Sequence, residues 1–446
     1  MMQQSGGSYS SHPPYLYPTQ HQHHHHESDG ESYLSGPEFD EGENDEPTLL
    51  LSLVQAYDWA GVLARVTALP SEAQTAGVQG RTPLHVACDH DAPAVVIQAL
   101  LKAYPEASTV VGTSNMNPLH ITCSSHHAST HVIRVLLEYG KAEQTSMRDI
   151  DGDTALHAAC RCGASREVLE VLLRANPSAV HERDKEGLTP LLRLWVRYFV
   201  ILGDDAIEGV KSHGDLTGEL GEAWNKTELL LHVAHHGALS RGGTLNVFRT
   251  VHAAAAVDCP RPVVKIAALV YSSQLDQRDE NGLTPLMIAC ETPIFKVRDL
   301  SDDGYMLEDV IYGDNDTQDQ FVADDAPEQI SSCEPSVIQI LLHANQDAAS
   351  SSACVPDPMG RLPLHLALES HKRWSDGLQQ LVDVYPEALA IPDPTSKLVP
   401  FLLAAVGERA DTSTVYEMLR LNPSLFADLK FESKNSNIST VPMETL

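Results

Sequence analysis

A six-residue string returns along this chain at a nearly fixed interval, and that interval limits the fold more than any other feature. It reads TPLHVA from Thr82, NPLHIT from Asn117, TALHAA from Thr154, TPLLRL from Thr189, RTVHAA from Arg249, TPLMIA from Thr284, LPLHLA from Leu362 and VPFLLA from Val399. Successive starts lie 35, 37, 35, 60, 35, 78 and 37 residues apart. Five of the seven steps share one unit length, and the two long steps exceed 35 by 25 and 43 residues, as insertions inside a unit would. Such a chain is an array of one small brick that buries its apolar face only against its neighbours.

Each string reads as the start of a helix. Thr82 offers an oxygen to the first free N–H groups, and Pro83 takes the first helical position, where no N–H is missed. His85, three residues after the cap, reaches back in the manner of a capping box. Leu84, Ala87 and Cys88 then form an apolar face at i, i+3 and i+4, small enough for neighbouring helices to approach closely. A second amphipathic helix follows about fourteen residues later, seen as Val132/Val135/Leu136, Val168/Val171/Leu172 and Val337/Ile340/Leu341. Proline turns close it at Tyr104-Pro105, Asn176-Pro177, Tyr385-Pro386 and Asn422-Pro423, since proline cannot continue a helix. An Asp-x-x-Gly turn precedes the next string at Asp149–Gly152, Asp184–Gly187, Asp279–Gly282 and Asp357–Gly360.

Helix, turn, helix, proline turn and Asp-x-x-Gly turn at a period near 35, with a TPLHxA string, resembles the ankyrin repeat family. The resemblance implies an all-α solenoid of stacked helix pairs with turn fingers projecting from one side. The expected organisation is a His-rich, acidic, disordered tail at 1–47, N-terminal capping helices at 48–79, and a repeat array at 80–430. Insertions are expected at about 203–225 and 296–333, and a polar tail at 431–446. Asn115, Val247 and Lys397 stand where other units have the turn glycine, so those three fingers are expected to be distorted. The second helix of the fourth unit is expected only at Thr227 to His236.

Charge narrows the function. The 446 residues hold 61 acids against 30 Lys and Arg, a net charge of −31. Nine acids lie between Glu27 and Glu46 and eleven between Asp299 and Glu328, with no base in either stretch, leaving −11 for the rest. Such a balance argues against tracking nucleic-acid phosphates or docking on an anionic membrane. No basic-then-apolar leader occurs before Arg65, and the longest apolar run, Leu194 to Leu202, is broken by Arg197. The expectation is an intracellular protein, cytoplasmic or nuclear, with reduced thiols.

Chemistry is sparse. His85, His120, His157, His252 and His365 share one column, and Cys88, Cys123, Cys160 and Cys290 share another, which favours scaffold hydrogen bonding and buried small hydrophobes over catalysis or zinc. The run His21 to His26 has no second shell to make a metal site. Asp314, Asp316 and Gln318 imitate a calcium loop, but Asp319 and Asp325 stand where glycine and a bidentate glutamate are needed. No cofactor, metal site or catalytic set is expected.

The resemblance implies a protein–protein interaction scaffold that uses its fingers and concave face. The acidic turns suggest a partner with a basic surface. Candidate contact residues are Asp149, Asp151, Asp184, Glu186, Asp279, Glu280 and Asp357, with Trp195, Tyr198 and Phe199 from the unusually aromatic fourth unit. Those aromatics either lie beneath the insertion or line a partner groove. A regulatory subunit of a separate enzyme and a calcium-responsive module are the alternatives.

Overall fold

A computed structural model describes residues 48–125, 128–238, 249–293, 335–344, 349–406 and 410–424. The terminal tails, the acidic insertion with its calcium-like loop, the His21–His26 run and Val247 lie outside the described residues. Among the described residues the backbone is helical and holds no strand.

The helices come in pairs. They are α1 (Leu49–Gln55) with α2 (Trp59–Ala68), α3 (Pro83–Asp89) with α4 (Ala94–Ala103), α5 (Pro118–Ser124) with α6 (Thr130–Tyr139), and α7 (Ala155–Arg161) with α8 (Arg166–Ala175). Next come α9 (Pro190–Glu208) with α10 (Gly218–His236), α11 (Thr250–Ala256) with α12 (Arg261–Val270), and α13 (Pro285–Glu291) with α14 (Val337–Ala344). After α15 (Ala349–Cys354) follow α16 (Pro363–Glu369) with α17 (Leu378–Val384), and α18 (Pro400–Ala405) with α19 (Thr412–Leu421). Despite the insertion between them, α13 and α14 pack together as one pair.

First helices stack on first helices, from α1 through α3, α5 and α7 to α9, and again from α11 through α13 and α16 to α18. Second helices make a parallel row. Leu84, Leu119, Leu156, Leu286 and Leu364, the third residue of each string, are all buried. Each contributes about 1.5–3 kcal/mol of transfer free energy.

Capping works as the strings suggest. Thr82 and Thr154 form capping boxes with His85 and His157, and Asn117 Oδ1 accepts from the His120 N–H at 2.9 Å. At the other end Tyr104, Asn176 and Tyr385 leave the helix with φ of −147°, −143° and −138°, and the proline turns that follow bury Ala107, Ala179 and Ala388.

The fingers at Asn115 and Lys397 depart from the regular turn: Asn115 (φ 58°) follows a second left-handed residue, Ser114 (57°), and Lys397 (63°) donates its N–H to the carbonyl four residues back, at Asp393, where Gly152, Gly187, Gly282 and Gly360 reach three back. Asparagine tolerates that region; Lys397 holds it because the Asp393 carboxylate takes the N–H groups of Thr395 and Ser396 and fixes the loop. The insertion expected at about 203–225 is largely helical, and the second helix begins earlier than the expected Thr227. α9 runs unbroken through Gly203 to Glu208, and α10 starts at Gly218, well before Thr227.

Candidate interaction surface and the buried network beneath it

The histidine column is a set of latches between units. In His157 one ring nitrogen, Nδ1, faces the Thr154 hydroxyl at 2.9 Å and backbone N–H at 3.2 Å, while Nε2 lies 3.2 Å from the Leu188 carbonyl of the next unit. His365 repeats this with the Leu362 N–H and the Ile391 carbonyl. His120 and His252 reach Asp153 and Gln277 carbonyls, each at 3.0 Å. A carbonyl can only accept, so Nε2 carries the proton. Two members are incomplete. His85 Nε2 has no partner within hydrogen-bond distance, and neither has His252 Nδ1, where Arg249 takes the cap position. Burial pushes His85, His157 and His252 down to about 4, keeping the rings neutral.

Thiols behave as apolar filler. Cys88, Cys123, Cys160 and Cys290 are buried, and burial pushes Cys88 and Cys290 up to about 12.

The finger aspartates turn inward. Asp149 Oδ1 accepts from the N–H groups of Asp151 at 3.0 Å and Asp153 at 2.8 Å, and Asp357 takes those of Met359 and Arg361. Asp184 takes Leu188 N–H at 2.9 Å and Arg193 Nε at 2.6 Å. Asp149, Asp184 and Asp357 are all buried, which corrects their assignment as contact residues: their carboxylates make the turn. Asp279 does the same with Asn281 and Leu283 but stays half-buried. The tips are another matter. Asp151, Glu186 and Glu280 are exposed. Arginines offset part of the acidity, since Arg148, Arg183 and Arg278 each donate to the glycine carbonyl of their own turn.

The fourth unit buries its aromatics. Trp195 is fully buried and donates its indole N–H to Thr227 Oγ1 at 2.9 Å, while Phe199, half-buried, lies 5.6 Å from it ring to ring. Tyr198 is buried, and its hydroxyl accepts from Lys226 Nζ at 3.2 Å. Trp195 and Tyr198 are therefore core, not a partner groove, because α10 packs over α9. Lys226, itself buried, also donates to the Gly163 carbonyl at 3.0 Å and pairs with Glu222 at 2.6 Å.

Sequence reasoning missed one cluster. Asp153, His157 and Asp184 bring ligand-type atoms within 4.8 Å of one another, all buried. These residues do not fit a metal ion. Both His157 nitrogens serve the latch, and the guanidinium of Arg193 already supplies the cation, 2.6 Å from Asp184, 3.8 Å from Asp153 and 3.2 Å from Glu186. Burial pushes Asp153 up to about 6 against the opposing pull of Arg193 and Arg161. Burial works against the charge of Arg193, yet Asp184, Asp153 and Glu186 hold its pKa above the ordinary value. The signal was legible: Arg193 sits at a string position that is aliphatic in every other unit.

Among the described residues no helix is long and apolar enough to cross a membrane. A family model of ankyrin repeats in three copies matches residues 96–184, and a single ankyrin-repeat model matches residues 79–108. No curated protein matches the chain.

Proposed function

We propose, from the premise that the chain is an ankyrin repeat protein, that it is a non-catalytic intracellular scaffold whose finger tips engage a protein partner with a basic surface. Ankyrin repeats serve protein–protein interaction in general, and the identity of the partner's surface is the finer reading offered here. One observation carries it. Three of the four turns separate their acids into an opener that builds the finger, buried at Asp149 and Asp184 and half-buried at Asp279, and an exposed tip, so Asp151, Glu186 and Glu280 keep carboxylates free of the turn's backbone N–H groups, Glu186 pairing with Arg193. Asp279, half-buried, opens the turn that carries Glu280. Exposed charges of one sign steer a complementary partner more than they hold it, and that steering is screened by salt.

A non-catalytic role is supported by the use of the titratable columns. The latch histidines are buried and neutral and the column thiols are held protonated, so neither offers a base or nucleophile to a substrate. Capture of partners on the immobilised chain at about 50 mM and about 500 mM salt tests the reading. Basic partners that are retained at the lower and released at the higher concentration support it. A partner set without basic bias, or indifferent to salt, refutes it.

A further inference from the structure

We propose that the outer face of α18 and α19 is a docking surface for the chain's own residues 425–431, which follow the last described residue, Ser424. An array buries each unit against the next, so a terminal unit needs a polar outer face. The last described unit has the reverse. In α16 and α17, His365, Leu366, Leu378 and Val382 are buried. Their counterparts Leu402, Leu403, Val415 and Leu419 are only half-buried, since among the described residues no further unit lies on them. Beside them Val406 is 59% and Tyr416 65% exposed. Tyr416 stands in a column that reads Gln98, Arg134, Glu170 and Gln379 in four other units. Val406 stands in one that reads Asp89, Arg161, Glu291 and Glu369. Apolar side chains thus replace polar ones where the stack meets water, and such a face calls for a cover.

The chain that follows carries the matching pattern. After a second helix the proline turn buries two side chains, Ala107 and Ser108, Ala179 and Val180, or Ala388 and Leu389. Asn422-Pro423-Ser424 begins the same turn after α19, and the corresponding pair is Leu425 and Phe426. Alanine in the three other turns becomes leucine, and its neighbour becomes phenylalanine, at the unit whose flank no neighbour covers. Leu429 and Phe431 add two more apolar side chains, whereas residues 432–437 are all polar. Seven extended residues span up to about 23 Å, and packed helices lie about 10 Å apart, so the segment reaches across both α19 and α18. Tethered at Ser424, it meets the face at an effective concentration of about millimolar order, above that of a second copy in dilute solution.

Amide hydrogen exchange read by peptide mass spectrometry tests the docking in the full chain. In the wild type, residues 425–431 are expected to be protected together with α18 and α19. The L425D/F426D double variant is expected to raise exchange in α18 and α19 by about tenfold or more and to leave α3 to α8 unchanged. Tyr416→Gln restores the side chain that α4 and α17 carry at this position, and is expected to raise exchange in 425–431. Val441→Asp, farther along, is expected to change neither. Wild-type exchange in 425–431 as fast as in an unstructured peptide overturns the proposal. Protection of α18 and α19 that survives in the double variant also overturns it, as does protection lost on dilution, which would mark a second copy as the occupant.

Discussion

The third unit and the fourth open with nearly the same string, yet different chemistry holds them. In the third, α7 is one short helix, His157 ties it to the next finger, and Cys160 fills the column beside it. In the fourth, Leu192 stands where the histidine would be, Arg193 where an aliphatic residue would be, and Trp195 in the thiol column. α9 and α10 are then drawn out to 19 residues each, and α10 packs on α8, α9 and α11. A unit that loses its latch thus holds its place through a larger buried face and an ionic clamp. The price is two almost fully buried cations, Arg193 and Lys226.

Trp195→Ala breaks the fourth unit hardest. It empties a fully buried indole site and strands the Thr227 hydroxyl contact, at a cost of about 3–5 kcal/mol. Urea unfolding followed by tryptophan-independent circular dichroism reads it, with Cys160→Ala in the third unit expected to cost clearly less. Arg193→Ala is next, at about 3 kcal/mol or more, because it leaves Asp184 buried without its cation and Asp153 with Arg161 alone. Equal loss from Arg193→Ala and a surface Arg174→Ala control would show the clamp to be idle.

His157→Ala tests the regular junction. It leaves the Leu188 carbonyl and the Thr154 cap short of a partner, for about 1–3 kcal/mol. Acid sharpens the contrast. The buried latch rings have pKa values near 4, below the ordinary 6.5, so unfolded rings bind protons that folded ones refuse. Their contribution is complete above pH 6.5 and is lost as pH falls toward 4. Asp153 has the opposite sign: raised from 3.8 to about 6, it costs stability as pH climbs through that window. Asp153→Asn is therefore expected to gain melting temperature over the wild type as pH rises from 4 to 6.5. A gap that does not vary with pH would contradict the assignment.

How much of this was legible depends on whether a residue repeats. Pro83, His85 and Cys88 have counterparts, so their column could be read as scaffold before any coordinates. The Asp-x-x-Gly turns were equally plain as turns. Which way their carboxylates face was not, because an N–H bond to a side chain two or four residues back leaves no trace in composition. Asp149, Asp184 and Asp357 therefore read as surface charge and proved to be part of the turn. The fourth unit was visible as an exception, but nothing in the insertion expected at about 203–225 marked α9 as carrying on to Glu208. Lys226 gave no warning at all: its carbonyl partner, Gly163, lies 63 residues away.

The smallest expected effect on stability carries the largest one on function. Asp151→Lys and Glu280→Lys, combined in one chain, change exposed tips outside the Arg193 clamp; each single change belongs to a class usually within about 0.5 kcal/mol. Partner capture by that double variant, beside the wild type at low salt, tests the central division between acids that build the fingers and acids that meet a partner. The account predicts a near-native melting curve with the basic, salt-sensitive partners lost. The same partners held by both chains would contradict it.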